Sequence, residues 1–305
     1  MQGTLNRPLE GKFGIVTGGS RGIGAAIAEN LASKGCHLLL VYTSPSSTAR
    51  THDLCEGLKA TCGIQCFAQQ ADLGNPVEAV EKILFAARQH FVALQGSSHL
   101  QIDILINNAG ISENRFLNDP DRGPIDVDTF NKQYNVNVLA PLLLTQAIAP
   151  YLPRNRSGRI VNLSSISTSL GLAGQSVYAG TKGALEAMTR TWARELGDRA
   201  TVNAVNPGPV LGDMYWGAGE GFWKRMQGWQ DNTPGSNMIV EPGFTGTGEE
   251  RLSEEDLRTV KEKMGGRRPA FTDEIAGVVG MLCTKDAAWC TGSVICANGG
   301  LRMSI

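Results

Sequence analysis

Short apolar runs alternate with longer stretches of helical periodicity along most of this chain. Residues 12–17 read as a strand, residues 18–24 as a tight glycine-rich turn, and residues 23–32 as a helix of small and apolar residues. A second strand is predicted over residues 37–42, after the stop signal at Gly35, and polar residues 43–51 lead into another helix. The pattern repeats, with strands over residues 65–68, 102–107, 159–163, 201–205 and 294–297. Helices fall over residues 76–91, 130–151, 179–196 and 272–282. Such alternation predicts a parallel sheet covered by helices on both faces. Right-handed crossovers make it a doubly wound α/β fold of Rossmann type.

Two stretches break the rhythm. Residues 90–101, which contain Gly96, Ser97 and Ser98, predict a surface loop extension. Residues 213–268 depart further and read as a lid-like insertion within a single domain spanning residues 1–305. They hold Trp216, Phe222, Trp223 and Trp229, a Gly/Pro-rich middle, and a charged segment over residues 249–263. That segment predicts a solvent-facing helix with Ser253 as N-cap and Asp256 at the capping-box position. Four large aromatics are costly to expose as one patch, so they either pack as a cover or line a substrate. Gly217, Gly219, Gly221 and Gly228 predict a segment able to bend over a ligand.

Composition narrows the class. The chain of 305 residues is long enough for one large domain with a substantial core. Its 28 basic and 29 acidic residues give a formal net charge of -1, which implies no large electrostatic surface for nucleic acid. Arg267 and Arg268 are expected at an ordinary solvated surface. Residues 1–11 lack the apolar core of a secretory signal, and no apolar run has the length of a membrane span. A soluble cytoplasmic protein is the expectation. The seven cysteines, an odd number, argue against a disulfide framework. Cys62 and Cys66 have no second ligand pair at zinc spacing, so no metal site is expected.

The run Thr17-Gly18-Gly19-Ser20-Arg21-Gly22-Ile23-Gly24 follows a predicted strand and opens a predicted helix. Gly18 permits the turn, Gly22 a close backbone approach, and Gly24 close packing of helix on sheet. A pyrophosphate there would meet free helix N–H groups and the positive end of the helix dipole. An ordinary glycine-rich loop is the weaker reading at this position. NAD sites usually end their second strand on an acid that binds the ribose hydroxyls. Here the strand runs into Tyr42, Thr43 and Ser44 with no carboxylate, and Arg21 stands in the turn. A 2'-phosphate would find a cation and hydroxyl donors, so NADP is favoured over NAD. An exposed turn residue is the other reading of Arg21.

Tyr178 and Lys182 stand four residues apart, on one face of a predicted helix. A phenol titrates near pH ~10, and a neighbouring ammonium favours its ionised form. The pair therefore offers a proton donor for a new alkoxide, or a base for alcohol oxidation. Ser165, just beyond a buried strand, could hold the substrate oxygen by a hydrogen bond. Such a pair also occurs as surface decoration, and residues 164–169 could simply cap a strand. Their order after a dinucleotide loop is what turns the reading toward catalysis.

In this order the motifs resemble the short-chain dehydrogenase/reductase family, over about residues 9–301. The resemblance implies a seven-stranded sheet ordered 3-2-1-4-5-6-7 and a nicotinamide cofactor. It implies cofactor contacts from Gly18, Ser20, Arg21, Gly22, Ile23 and Gly24, then from Tyr42, Thr43 and Ser44. Asp72 and Leu73 follow the third strand, where family members contact adenine, and Asn107-Asn108-Ala109-Gly110 resembles the strand-end motif lining the cofactor. Asn137 matches the helix asparagine that helps hold a proton-relay water; Ser165, Tyr178 and Lys182 match the catalytic set, of which Tyr178 and Lys182 also meet the cofactor. Pro207, Gly208 and Val210 resemble the nicotinamide loop, and Ala297-Asn298-Gly299-Gly300 the last-strand motif. Members often pair as homodimers or homotetramers through the helices over residues 130–151 and 179–196. One departure stands out: Gly212 replaces a threonine that often bonds the carboxamide, which bears on cofactor affinity and nicotinamide orientation.

The activity implied is NADPH-dependent reduction of a ketone on a fairly large, partly apolar substrate. In appearance the chain is nearest to 3-oxoacyl-thioester reductases and the ketoreductases of fungal secondary metabolism. Trp216, Phe222 and Trp223 of the lid are the candidate specificity residues. Three alternatives stay open. One is an alcohol dehydrogenase oxidising a sugar, polyol or steroid-like alcohol. Another is a repurposed member that shapes a pocket for cyclisation or isomerisation. The third is a non-catalytic cofactor-binding scaffold, against which the complete set Asn137, Ser165, Tyr178 and Lys182 argues.

Overall fold

The computed structural model describes residues 7–95, 99–236 and 252–303. Its first half runs β1 (Phe13–Thr17), α1 (Gly22–Ser33), β2 (His37–Tyr42), α2 (Thr48–Cys62), β3 (Cys66–Gln70), α3 (Pro76–Gln95) and β4 (Ile104–Asn107). A small hairpin, β5 (Asn118–Asp119) and β6 (Gly123–Pro124), precedes α4 (Val127–Tyr134), α5 (Ala140–Ile148) and β7 (Gly158–Leu163). Then come α6 (Ser167–Leu170), α7 (Ser176–Glu195), β8 (Ala200–Pro207), α8 (Asp213–Gln230), α9 (Glu254–Lys263), α10 (Thr272–Cys283) and β9 (Val294–Ala297). The main sheet is parallel throughout, in the order β3-β2-β1-β4-β7-β8-β9. With the hairpin set aside, this is the expected order 3-2-1-4-5-6-7.

Period-two alternation sorts the strand side chains into two cores. Val16, Leu38, Leu40, Ile106 and Val205 pack with Ile27 and Leu31 of α1, Leu58 of α2, and Ile275 and Val279 of α10. Phe13, Ile15, Leu39, Leu105 and Val202 pack on the opposite face with Ile83 of α3, Leu144 of α5 and Leu185 of α7. Burial on both faces explains why these strands read as continuous apolar runs.

Tertiary packing moved several expected boundaries. Residues 90–95 are helical, because Phe91 is buried against Phe13 and His90 stacks on Phe67 at 3.9 Å between ring centroids. Gly96, Ser97 and Ser98 lie outside the described residues. The helix expected over residues 130–151 begins at Val127, where the Asp126 carboxylate accepts from Thr129 N–H at 2.7 Å. It is then interrupted by a π-turn at Asn135–Leu139 before α5.

Among the described residues the lid forms two α-helices. Its first, α8, breaks at Gly219, whose φ of 74° lies in the left-handed region. Its second, α9, is capped as expected by Ser253, which accepts from Asp256 N–H at 3.1 Å. The Gly/Pro-rich residues 237–251 lie outside the described residues. Arg268 corrects the expectation of a solvated surface: it is buried, and its guanidinium makes two bonds of 2.8 Å to the Glu274 carboxylate. A planar fork with a matching carboxylate is what allows an arginine to be buried. Arg267 stays half-exposed.

The glycine turn shows how tightly β1 and α1 meet. Gly18 has a φ of 64°, and a Cβ on Gly24 would stand 2.1 Å from the Gly18 carbonyl oxygen. Asn108 Nδ2 donates to that same oxygen at 3.2 Å, so the turn has little room to yield. Gly24→Ala should therefore destabilise the protein by about 1–3 kcal/mol, the usual cost of overpacking. Urea denaturation measures it, and an unchanged midpoint would refute the steric reading.

Candidate active site

All the candidate motifs gather at the carboxyl ends of the strands. The turn after β1 lies beside the loop after β4, where the strand order reverses; ligands of open α/β sheets bind at such a point. Thr17 Oγ1 accepts from the N–H groups of Asn108 and Ala109, at 3.0 and 3.1 Å, and locks the two loops together. The N-cap of α1 is Arg21, which makes no side-chain cap bond to the first turn. Those helix N–H groups remain available to an anion, so the cradle fits a pyrophosphate.

Around the adenosine end, Tyr42 is buried at the end of β2 while Thr43 is exposed and Ser44 half-buried. Asp72 accepts from Gly74 N–H at 2.9 Å and is exposed; Leu73 beside it is buried. Arg21 does not stand free. Its guanidinium pairs with Asp213, the first residue of α8, at 2.7 Å, and both side chains are more than half exposed. No motif signals a contact across 192 positions, and sequence reasoning missed it.

The catalytic candidates converge on α7. Tyr178 and Lys182 are both buried, one turn apart, with Lys182 Nζ 5.8 Å from the centroid of the Tyr178 ring. Lys182 donates to the Leu163 carbonyl at 2.7 Å, which ties α7 to the end of β7. Gly110 leaves space for it, since a Cβ there would lie 3.2 Å from Nζ. Burial pushes the Lys182 ammonium down to about 8. Burial also raises the Tyr178 phenol, while a hydrogen bond with Ser165 pulls it the other way. The lowering expected from Lys182 is thus not what sets this phenol; burial holds it protonated, as a proton donor requires.

Asn137 sits fully buried within the π-turn. It accepts from Ile111 N–H and donates to the Ile111 carbonyl, both at 2.9 Å, and donates to Thr181 Oγ1 at 3.0 Å. The loop after β4 is thereby fastened to α7. Pro207 ends β8, Gly208 follows it, and Val210 bridges to Ala270. Gly212 has extended backbone with no heavy atom within 4 Å of a would-be Cβ.

A polar chain missed by sequence reasoning runs from Ser165. Ser165 Oγ lies 2.9 Å from Ser167 Oγ, which donates to Gln175 Oε1 at 2.6 Å; Gln175 Nε2 then donates to Asn114 at 2.9 Å. Its only sequence signal was Gln175, a polar residue just ahead of a buried helix. The lid aromatics form their own small core: Trp223 is buried against Tyr215, Val260 and Met264, with Trp216 and Phe222 packed on it. Phe222 also reaches a second cluster holding Ile166, next to Ser165. Of the three expected lid residues it is the one that packs on the cluster beside Ser165.

Lys182 gives this site a measurable signature. Its folded pKa of about 8 lies below the ordinary 10.5, so between them the unfolded chain binds the extra proton. Stability from this group therefore rises with pH across that window and is lowest below it. Relative to Lys182→Met, the wild type should carry a penalty of about 3 kcal/mol below pH ~8 that shrinks toward pH ~10. Melting curves of both proteins at matched pH test this, and a gap that stays constant or widens would contradict it.

Comparison with known proteins follows the same lines. A family model described as short chain dehydrogenase matches residues 12–221. An L-xylulose reductase of Aspergillus niger is 66% identical over 302 residues, covering 98% of this chain and all of that protein. An L-xylo-3-hexulose reductase of Hypocrea jecorina is 56% identical over 306 residues, covering 99% of this chain and 100% of that protein. A solved short chain dehydrogenase of Burkholderia cenocepacia, in complex with NADP, is 30% identical, with a TM-score of 0.73 and coverage of 97% and 100%. The chain belongs to the short-chain dehydrogenase/reductase family and is an oxidoreductase.

Proposed function

We propose that this enzyme is an NADPH-dependent ketose reductase acting on a small open-chain ketose of the L-xylulose kind. The observation that carries the reading is the polar chain Ser165, Ser167, Gln175 and Asn114, which offers hydroxyl and amide partners beside the proton donor. A site built to bond hydroxyls discriminates strongly against analogues lacking them. The names of the two relatives above support it.

When bound, the nicotinamide supplies the hydride. Tyr178 Oη gives its proton to the oxygen that becomes a hydroxyl, and Ser165 holds that oxygen in place. Asn137 supports a water that replaces the proton, and Lys182 binds the ribose. Gly18, Ser20, Gly22, Ile23 and Gly24 cradle the pyrophosphate; Arg21, Tyr42, Thr43 and Ser44 receive the 2'-phosphate. Asp72 and Leu73 bound the adenine, Asn108, Ala109 and Gly110 the central part, and Pro207, Gly208 and Val210 the carboxamide. Phe130, 43% exposed, and Leu139, 37% exposed, suit α4 and the π-turn to a homodimer or homotetramer contact.

A second reading, a larger and partly apolar ketone, is favoured by Phe222, Ile166, Leu170 and Leu172, which cluster beside the same loop. Cofactor oxidation followed optically separates the two. L-Xylulose should be reduced with a higher kcat/KM than a bulky aromatic ketone, and faster with NADPH than with NADH. The reverse order of substrates would favour the second reading. Tyr178→Phe should keep NADPH binding and lower kcat by about 10²- to 10⁴-fold; near-normal turnover would move the proton transfer elsewhere. Gln175→Leu should lower kcat/KM for L-xylulose by at least ~10-fold while sparing that for a ketone without hydroxyls. Equal losses on both would detach Gln175 from substrate recognition.

A further inference from the structure

Glu186 lies on α7 one turn beyond Lys182 and eight residues beyond Tyr178. Its Oε1 accepts from Ser164 Oγ at 2.6 Å, from Thr168 Oγ1 at 3.1 Å and from Asn206 Nδ2 at 3.1 Å. The three donors come from the end of β7, from α6 and from β8, so one carboxylate joins three elements to α7.

Two of these donors also hold the catalytic serine. Asn206 Nδ2 donates to the Ser165 carbonyl at 2.9 Å, and the single hydroxyl proton of Thr168 is shared between Glu186 and that same carbonyl, 3.1 Å from each. Ser164, the third donor, precedes Ser165 in the chain. Asn206 Oδ1 is buried without a partner, so this amide is held in place through its NH₂ group alone. Bonds to an ionised acceptor are the stronger kind, and orientation of a reacting group by its neighbours is worth large factors in rate.

We propose that Glu186 is a positioning residue, setting the placement of Ser165 against Tyr178 by anchoring Ser164, Thr168 and Asn206 to the helix that carries the proton donor. It touches neither cofactor nor substrate in this role. The same side chain ties the Ser165 segment to the helix that carries the proton donor, because Tyr178 and Glu186 share α7.

The test compares wild type, Glu186→Gln and Glu186→Ala. In Glu186→Ala, kcat for L-xylulose should fall by about 10- to 100-fold with little change in the Kd for NADPH. Glu186→Gln keeps an acceptor oxygen at the same reach and should recover most of that loss. Amide hydrogen exchange should quicken over residues 164–168 in Glu186→Ala and stay slow in the centre of β7. A folded Glu186→Ala with wild-type kcat would overturn the proposal. So would a fall in kcat that vanishes once the rate is divided by the fraction of protein binding NADPH. If Glu186→Ala does not fold, Thr168→Val takes its place, with a severalfold fall in kcat expected and an unchanged kcat overturning the proposal. Failure of the wild type to reduce L-xylulose would count against the ketose reading alone; kcat is then compared on diacetyl, and the exchange experiment needs no substrate.

Discussion

A parallel sheet buried on both faces has to satisfy its backbone within the ladder, so free polar groups can stand only where strands end. That constraint governs this molecule. Apolar side chains from α1, α2 and α10 seal one face, and those from α3, α5 and α7 seal the other. The turns after β1, β2, β4, β7 and β8 are then brought to a single rim by parallel pairing alone. The glycine cradle, the strand-end asparagines, Ser165 and the Pro207-Gly208 loop meet there without any one of them specifying the others.

Within that rim α7 acts as a ruler. A rise of ~1.5 Å per residue sets successive turns about 5–6 Å apart, so Tyr178, Lys182 and Glu186 present three different chemistries along one face. Two of them are fastened at the end of β7, Lys182 to the Leu163 carbonyl and Glu186 to Ser164 Oγ. The π-turn does the same for the neighbouring helix pair. Asn137 is turned inward to grip both backbone groups of Ile111. Burial of the whole cluster keeps the phenol protonated and makes the ammonium easier to discharge.

Much of this was legible before any coordinates. All seven sheet strands stood out in the strand–helix alternation, the five inner ones through the apolar runs that burial on two faces demands, and Tyr178 with Lys182 because helical spacing is arithmetic. Their placement beside the glycine turn was legible only through resemblance to a family, since periodicity says nothing of strand order. What stayed hidden depends on partners far apart in the chain. The helical turn at residues 90–95 exists because Phe91 and His90 find aromatic partners. Burial of Arg268 required a carboxylate at Glu274 in the right plane. The lid aromatics were expected to cover or to line a substrate; Trp216, Phe222 and Trp223 form a small core of their own with Phe222 at its border with Ile166, while Trp229 stays 44% exposed.

The pair between Arg21 and Asp213 couples two events that otherwise look independent. One guanidinium faces a carboxylate on the lid and stands in the glycine turn, where the proposed function puts the 2'-phosphate. Any anion that Arg21 binds therefore displaces Asp213 or shares the cation with it, so occupancy of the groove and attachment of the first turn of α8 obey one exchange equilibrium. Linkage makes the exchange reciprocal: whatever loosens α8 from Arg21 strengthens the hold on the anion by the same factor. Both side chains are open to water, so added salt weakens the lid contact and the anion contact together. The entrance to the groove is in this sense a balance with a single pivot, and Arg21 is that pivot.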